Sequence, residues 1–140
     1  DLAPPRSVRQ GGRPPRLTRV DPGLPLGPAV AEAVRAELAS VGTGNLAVIC
    51  PASLVTLCAD ALAAEGIDHG LATERGLSHQ VTVVPVGIVK GLELDGVVVV
   101  EPADIVAGEQ QGLRALYVAL TRSTKRLTIV HAKPLPPAMV

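Results

Sequence analysis

VTVVPVGIVKGLELDGVVVVEP, residues 81–102, holds two apolar runs split by a polar loop that carries glycine. Residues 81–84 and 96–100 are almost unbroken valine, with four valines in a row in the second run. β-Branched residues without polar alternation fit strands that are covered on both faces. Between them, residues 85–92 carry Pro85, Gly87 and Gly91 and read as a loop. Two further runs, LAVIC at 46–50 and LTIV at 127–130, extend the pattern to four strands.

Helical patterns lie between these strands. Over residues 28–41, Val30, Val34, Leu38 and Val41 share one face, and Glu32, Arg35 and Glu37 are placed off it. Gly42 and Gly44 end that helix. Ser53 is placed to cap a second helix over 54–65, with Leu54, Leu57, Cys58, Ala61 and Leu62 on its apolar face and Gly66 closing it. Residues 68–79 are polar and irregular. A turn at 108–111 leads into a third helix over 112–121. Strands alternating with helices predict an α/β fold, a mostly parallel sheet with helices on both faces. Ligands in such sheets sit at the carboxyl ends of the strands. That rule places the loop after Val84 and the segment around Arg122 in the expected functional zone.

Composition narrows the classes. A length of 140 residues suits one domain, and a hydrophobic content of 47% supplies a core. One Tyr, no Phe and no Trp leave an aliphatic core and argue against base stacking on aromatic platforms. The formal charge is zero, so no global basic field attracts nucleic acid or membrane. Arg6, Arg9, Arg13, Arg16 and Arg19 nevertheless crowd the first twenty residues, with Asp1 as the only acid there. Residues 1–28 also hold seven of the thirteen prolines and read as an extended, solvated lead-in. The folded unit is expected at 29–133, and 134–140, with Pro134, Pro136 and Pro137, as an irregular tail. Cys50 and Cys58 match no zinc or redox spacing and are expected to be buried. That fits a reducing, cytoplasmic setting. No stretch is long enough to span a bilayer and none reads as a signal peptide. A start at Asp1 without Met is expected of a fragment of a longer protein.

Two places carry chemistry. Lys90-Gly91-Leu92-Glu93 follows a buried strand. Glycine admits close approach of a ligand to backbone, and lysine and glutamate suit a phosphate and a ribose hydroxyl. The plain alternative is a surface turn with a weak ion pair, worth under about 1 kcal/mol. The helix ALYVAL, residues 115–120, is apolar nearly all round and is expected to be buried, with Tyr117 as part of the core. It delivers Thr121 and Arg122 at its end, where Arg122 is either a cation favoured by the helix dipole or a finger toward a phosphoryl group. Asp95, Glu101 and Asp104 gather near a strand end and read as solvated caps. His69, His79 and His131 have no ligand spacing, and no metal site is expected.

Together these segments change the reading. Residues 81–102 resemble motif V of superfamily 1 (UvrD/Rep-type) helicases, and RALYVALTRSTKRLTIVHA, residues 114–132, resembles motif VI. Residues 46–67 resemble, more loosely, the strand and helix that precede motif V. The resemblance implies a second RecA-like domain of P-loop NTPase type, closing on an N-terminal RecA-like lobe across ATP and Mg²⁺. It implies that Arg122 meets the γ-phosphate, with Lys90, Gly91, Glu93 and Thr121 near the nucleotide. Cycles of ATP binding and hydrolysis would move single-stranded DNA.

The chain departs from the family in two ways. It has no G-x-x-x-x-G-K-[ST], so the phosphate loop, like the motif IV arginine, is expected upstream of Asp1, and the 140 residues alone are expected to hydrolyse no ATP. Gly87 stands where many of these helicases have a histidine that faces DNA. Gly87, the proline-rich start and the closing HAKPLP resemble the HelD group, helicase-like ATPases that bind and recycle RNA polymerase. A lobe that keeps the fold and has lost nucleotide binding is the third reading.

Overall fold

A computed structural model describes residues 15–72, 79–89 and 93–139. Its elements are β1 (Arg16–Arg19), α1 (Gly27–Val41), β2 (Leu46–Cys50), α2 (Val55–Ala64), β3 (Gly70–Leu71), β4 (Val81–Pro85), β5 (Leu94–Val100), α3 (Pro102–Gly108), α4 (Gly112–Leu120) and β6 (Ser123–His131). The strands form one sheet in the order β1-β6-β5-β2-β4-β3. Every pairing is parallel. The solid apolar runs follow from this, because parallel strands are covered on both sides.

Side-chain alternation divides the core into two layers. Leu46, Val48, Val81, Val83, Val98, Val100 and Val130 face α1 and α2. Ala47, Ile49, Val84, Val97, Val99, Leu127 and Ile129 face α3 and α4. Val30 and Val34 of α1 are wholly buried, which stabilises the helix on the sheet by about 2 kcal/mol each. Among the described residues, no helix is long and apolar enough to cross a membrane.

Several local expectations are corrected. Arg16–Arg19 lie in the lead-in yet form an edge strand, paired with Thr128–His131 of β6. Edge position tolerates their arginines, since one side of the strand meets solvent. Residues 1–14, with Arg6, Arg9 and Arg13, lie outside the described residues. Ser53 makes no cap; a short 3-10 turn, Ala52–Leu54, leads into α2 instead. Helix α3 was not expected at all. Its start is set by Pro102, which suits the first helical position.

Two acids are buried, one placed off the apolar face of its helix and the other expected as a solvated cap. Glu37 lies in α1 at 0% exposure. Its carboxylate accepts the Thr128 hydroxyl and stands 3.5 Å from Arg126 Nε. Gly96 makes the room: a Cβ there would come within 3.0 Å of Glu37 Oε1 and 2.9 Å of Leu46 Cδ1. Glu101, at 2% exposure, follows the carboxyl end of β5 in the left-handed region, with φ 53°. A non-glycine residue held there costs about 1–3 kcal/mol. The carboxylate offsets this by accepting the backbone N–H of Ala132 at 3.1 Å and of Lys133 at 3.2 Å. Asp95 does not join it. That residue lies at the opposite end of β5, where it accepts the Asn45 N–H at 2.9 Å. Asp104 pairs with Lys133, whose ammonium is held above its usual pKa by that hydrogen bond.

Cys50, ending β2, and Cys58, in α2, are free, buried thiols as expected. The Cys50 thiol is pushed well above the usual thiol range, first by its hydrogen bond to Cys58 and then by burial. A suppressed thiolate is a poor nucleophile. The same hydrogen bond shifts the Cys58 thiol down, so its protection comes from burial, which is complete for both side chains. In the folded protein at neutral pH, iodoacetamide is therefore expected to label neither cysteine, and denatured protein is expected to take two adducts by mass spectrometry. Rapid labelling of the native chain would contradict this account.

Candidate functional site

Helix α4 ends against the start of the next strand, and this junction builds the site. Leu94 of β5 pairs with Ser123 of β6. Glu93 and Arg122 are the residues immediately before them, so both stand at the entries of adjacent strands, at the amino end of the sheet. The Leu94 N–H donates to the Arg122 carbonyl at 3.0 Å, and the Thr124 hydroxyl donates to the Leu94 carbonyl at 3.2 Å. These bonds hold the two strand entries together. Glu93 is exposed.

The place itself differs from the expectation. Arg122 was placed at the carboxyl ends of the strands, but it lies at the amino ends, since it precedes β6. The loop after β4 does start at a carboxyl end, with a short 3-10 turn at Val86–Ile88, whereas Glu93 stands just before the amino end of β5. Lys90 and Gly91 of that loop lie outside the described residues.

Helix α4 presents three different faces. Gly112, Leu116, Ala119 and Leu120 are buried against the sheet. Gly112 is required at the α3–α4 corner, because a Cβ there would meet the Val106 carbonyl oxygen at 2.0 Å. A second face carries Leu113, 46% exposed, and Tyr117, 53% exposed. Tyr117 is therefore a surface residue, not core. Spacing alone made the helix look buried throughout; only packing shows that the sheet covers one side. The third face, Gln111, Ala115 and Val118, lines a cleft of about 220 Å³ with Val86, Gly87 and Val89. Arg122 stands two residues past the end of α4 and returns to it, with Nε on the Val118 carbonyl.

The end of α4 is closely hydrogen-bonded. Thr121 donates its hydroxyl to the carbonyls of Tyr117 and Val118, both at 3.1 Å. Arg122 donates Nε to the Val118 carbonyl at 3.1 Å and Nη2 to the Thr121 hydroxyl oxygen at 3.2 Å. The guanidinium is half-buried and has no carboxylate among the ion pairs of the described residues. Among the described residues, two of its five N–H groups are engaged, both with its own helix, and three have no acceptor.

Gly87 is exposed beside the cleft. A Cβ on it would stand 3.7 Å from Glu109 Oε1. Glu109 was not singled out in the sequence; it comes from the distant α3–α4 corner, and no local pattern marks it. Glu37 could have been found. It lies seven residues after Val30 and four before Val41, on the same stripe. Among the described residues, no three acidic, histidine or cysteine side chains converge as a metal site would require.

Comparison with known proteins gives the following. The family model of the UvrD-like helicase C-terminal domain matches residues 80–130. Among curated proteins none matches the chain. In structure, the chain is similar to the C-terminal domain of a possible DNA helicase from Lactobacillus plantarum, with TM-score 0.71, 23% identity, and coverage of 99% of this chain and 91% of that one. It is also similar to the SWI2/SNF2 ATPase core of Sulfolobus solfataricus, solved with double-stranded DNA, with TM-score 0.61, 18% identity, and coverage of 92% of this chain but 30% of that one. The Hef helicase domain of Pyrococcus furiosus gives TM-score 0.57 and 19% identity, with coverage of 80% of this chain and 26% of that one. The chain thus spans nearly all of the first of these and about a third or less of the others. The fold is that of a RecA-like helicase domain.

Proposed function

We propose that this chain is the second RecA-like motor domain of a superfamily 1 DNA helicase or translocase. It contributes half of an ATP site and works against an N-terminal RecA-like lobe. The carrying observation is the junction of Glu93 and Arg122 at the amino ends of β5 and β6. That junction falls inside the stretch matched by the helicase family. A guanidinium with free N–H groups at the end of a packed helix suits a phosphoryl group delivered from outside. Lys90, Gly91 and Glu93 belong to the loop that approaches the nucleotide, with Glu93 toward the ribose and Arg122 toward the γ-phosphate. Thr121 stands at the phosphate end. The phosphate loop and the Mg²⁺ ligands come from the other lobe, and the 140 residues alone hydrolyse no ATP. The protein works in the cytoplasm on single-stranded DNA.

One observation favours a second reading, an ATPase lobe of a HelD-like factor that binds RNA polymerase without unwinding. Gly87 offers no side chain to DNA, and the Glu109 carboxylate borders the space beside it. A fixed anion there opposes a phosphodiester. The two readings separate by experiment on the protein with both lobes. ATP turnover is measured with single-stranded DNA and with RNA polymerase, and duplex unwinding is assayed in parallel. Strong stimulation by DNA together with unwinding is the expected result. Polymerase binding without unwinding would replace the helicase reading with the second. A two-lobed protein that turns over no ATP would point to a lobe that has kept only its fold.

A further inference from the structure

We infer that Thr121 is a positioning residue for Arg122 and not a ligand of the nucleotide. This rests on the reading of Arg122 as the arginine that meets the γ-phosphate. The Thr121 hydroxyl has one proton, and the carbonyls of Tyr117 and Val118 share it at 3.1 Å each. With the proton turned inward, the oxygen has a lone pair for Arg122 Nη2 at 3.2 Å. Arg122 Nε adds the bond to the Val118 carbonyl at 3.1 Å.

The consequence follows from the shape of the guanidinium. Its five N–H groups lie in one plane. Nε–H and the neighbouring Nη2–H form one edge, and Val118 and Thr121 hold that edge. The opposite edge, made by Nη1 and Nη2, has two parallel N–H groups with no acceptor among the described residues. Such a pair suits two oxygens of one phosphoryl group. Thr121 and the helix end therefore grip the guanidinium from behind and present its front. Preorganisation of this kind matters most as charge develops in the transition state, so it acts on kcat more than on ground-state binding. A hydroxyl turned to its own helix has no proton left to give a nucleotide.

The test uses the two-lobed protein, with Arg122→Ala as reference. Thr121→Val keeps the branched shape and removes the acceptor. It is expected to lower kcat about tenfold or more, with KM for ATP changing less than about twofold. ADP affinity, measured by direct titration, is expected to stay unchanged, because ADP lacks the phosphate that Arg122 meets. Thr121→Ser restores the hydroxyl and is expected to restore kcat. Thr121→Ala serves as the second variant if valine disturbs the helix end in thermal unfolding. A rise in KM or a loss of ADP affinity with kcat intact would make Thr121 a ligand and overturn the inference. Unchanged kcat in Thr121→Val would overturn it as well. If Arg122→Ala loses turnover while Thr121→Val does not, only the positioning role falls. If Arg122→Ala keeps wild-type turnover, the reading of Arg122 falls first.

Discussion

Replacing Arg122 with alanine in the two-lobed protein is expected to lower ATP turnover by about a thousandfold or more. The domain is expected to stay folded, with thermal unfolding close to that of the parent. The two halves of this expectation come from different parts of the structure. Catalytic loss follows from the free guanidinium edge, since a finger that neutralises charge on a transferring phosphoryl group has no substitute in alanine. Structural tolerance follows from exposure and bonding. The side chain is half-buried and, among the described residues, bonds to the end of its own helix, to Val118 and Thr121. Its backbone, which links α4 to β5 through the Leu94 N–H, is unchanged by the substitution. Arg122→Lys separates charge from shape. A lysine keeps the charge but not the planar fork, so it is expected to recover little of the lost rate. Turnover at the parental level in Arg122→Ala would reduce the residue to a cation at a helix end.

Glu37→Ala is expected to be the most damaging single change to stability, by about 3–5 kcal/mol in urea unfolding of this domain. Glu37 is fully buried between α1 and β6, and Arg126, itself 9% exposed, has it as partner. Removing the carboxylate leaves the Arg126 charge buried without a counter-ion and the Thr128 hydroxyl without its acceptor. It also opens a cavity against Gly96, whose missing side chain exists to admit Glu37. Glu37→Gln keeps the shape and an acceptor for Thr128, so it is expected to cost markedly less than alanine. Equal costs for the two variants would show that charge and not volume holds α1 on the sheet. Loss below about 1 kcal/mol in Glu37→Ala would show that the ion pair contributes nothing.

How much could be read in advance is best seen residue by residue. The valine runs of β4 and β5 were legible because a parallel strand covered on both faces needs no polar alternation. Helices α1, α2 and α4 were legible from their spacing, to within a few residues at each end. Edge strand β1 was not. Its four residues include two arginines among prolines, and only the open side of β6 makes them a strand. Glu101 was not legible either, because its backbone conformation depends on the amides of Ala132 and Lys133, just past β6 and far along the chain. Tyr117 was misread because helix periodicity says which residues share a face and not which face the sheet will cover.

LYVALTR and KGLE were visible in the chain as two separated segments; their resemblance to helicase motifs implied phosphate chemistry, and the helix and strands that carry them were legible from spacing. Local patterning reaches that far because helix and strand periods are short-range properties of the backbone. Which end of the sheet brings those segments together is a different kind of fact. The register of β5 on β6 places Glu93 next to Arg122 at the amino ends, where the sequence had suggested the carboxyl ends. The crossing of α1 over β6 made Glu37 a buried counter-ion, and the α3–α4 corner set Glu109 beside Gly87. Each of these depends on contacts between residues far apart in the chain, which no window of sequence contains, so only the packed sheet could decide them.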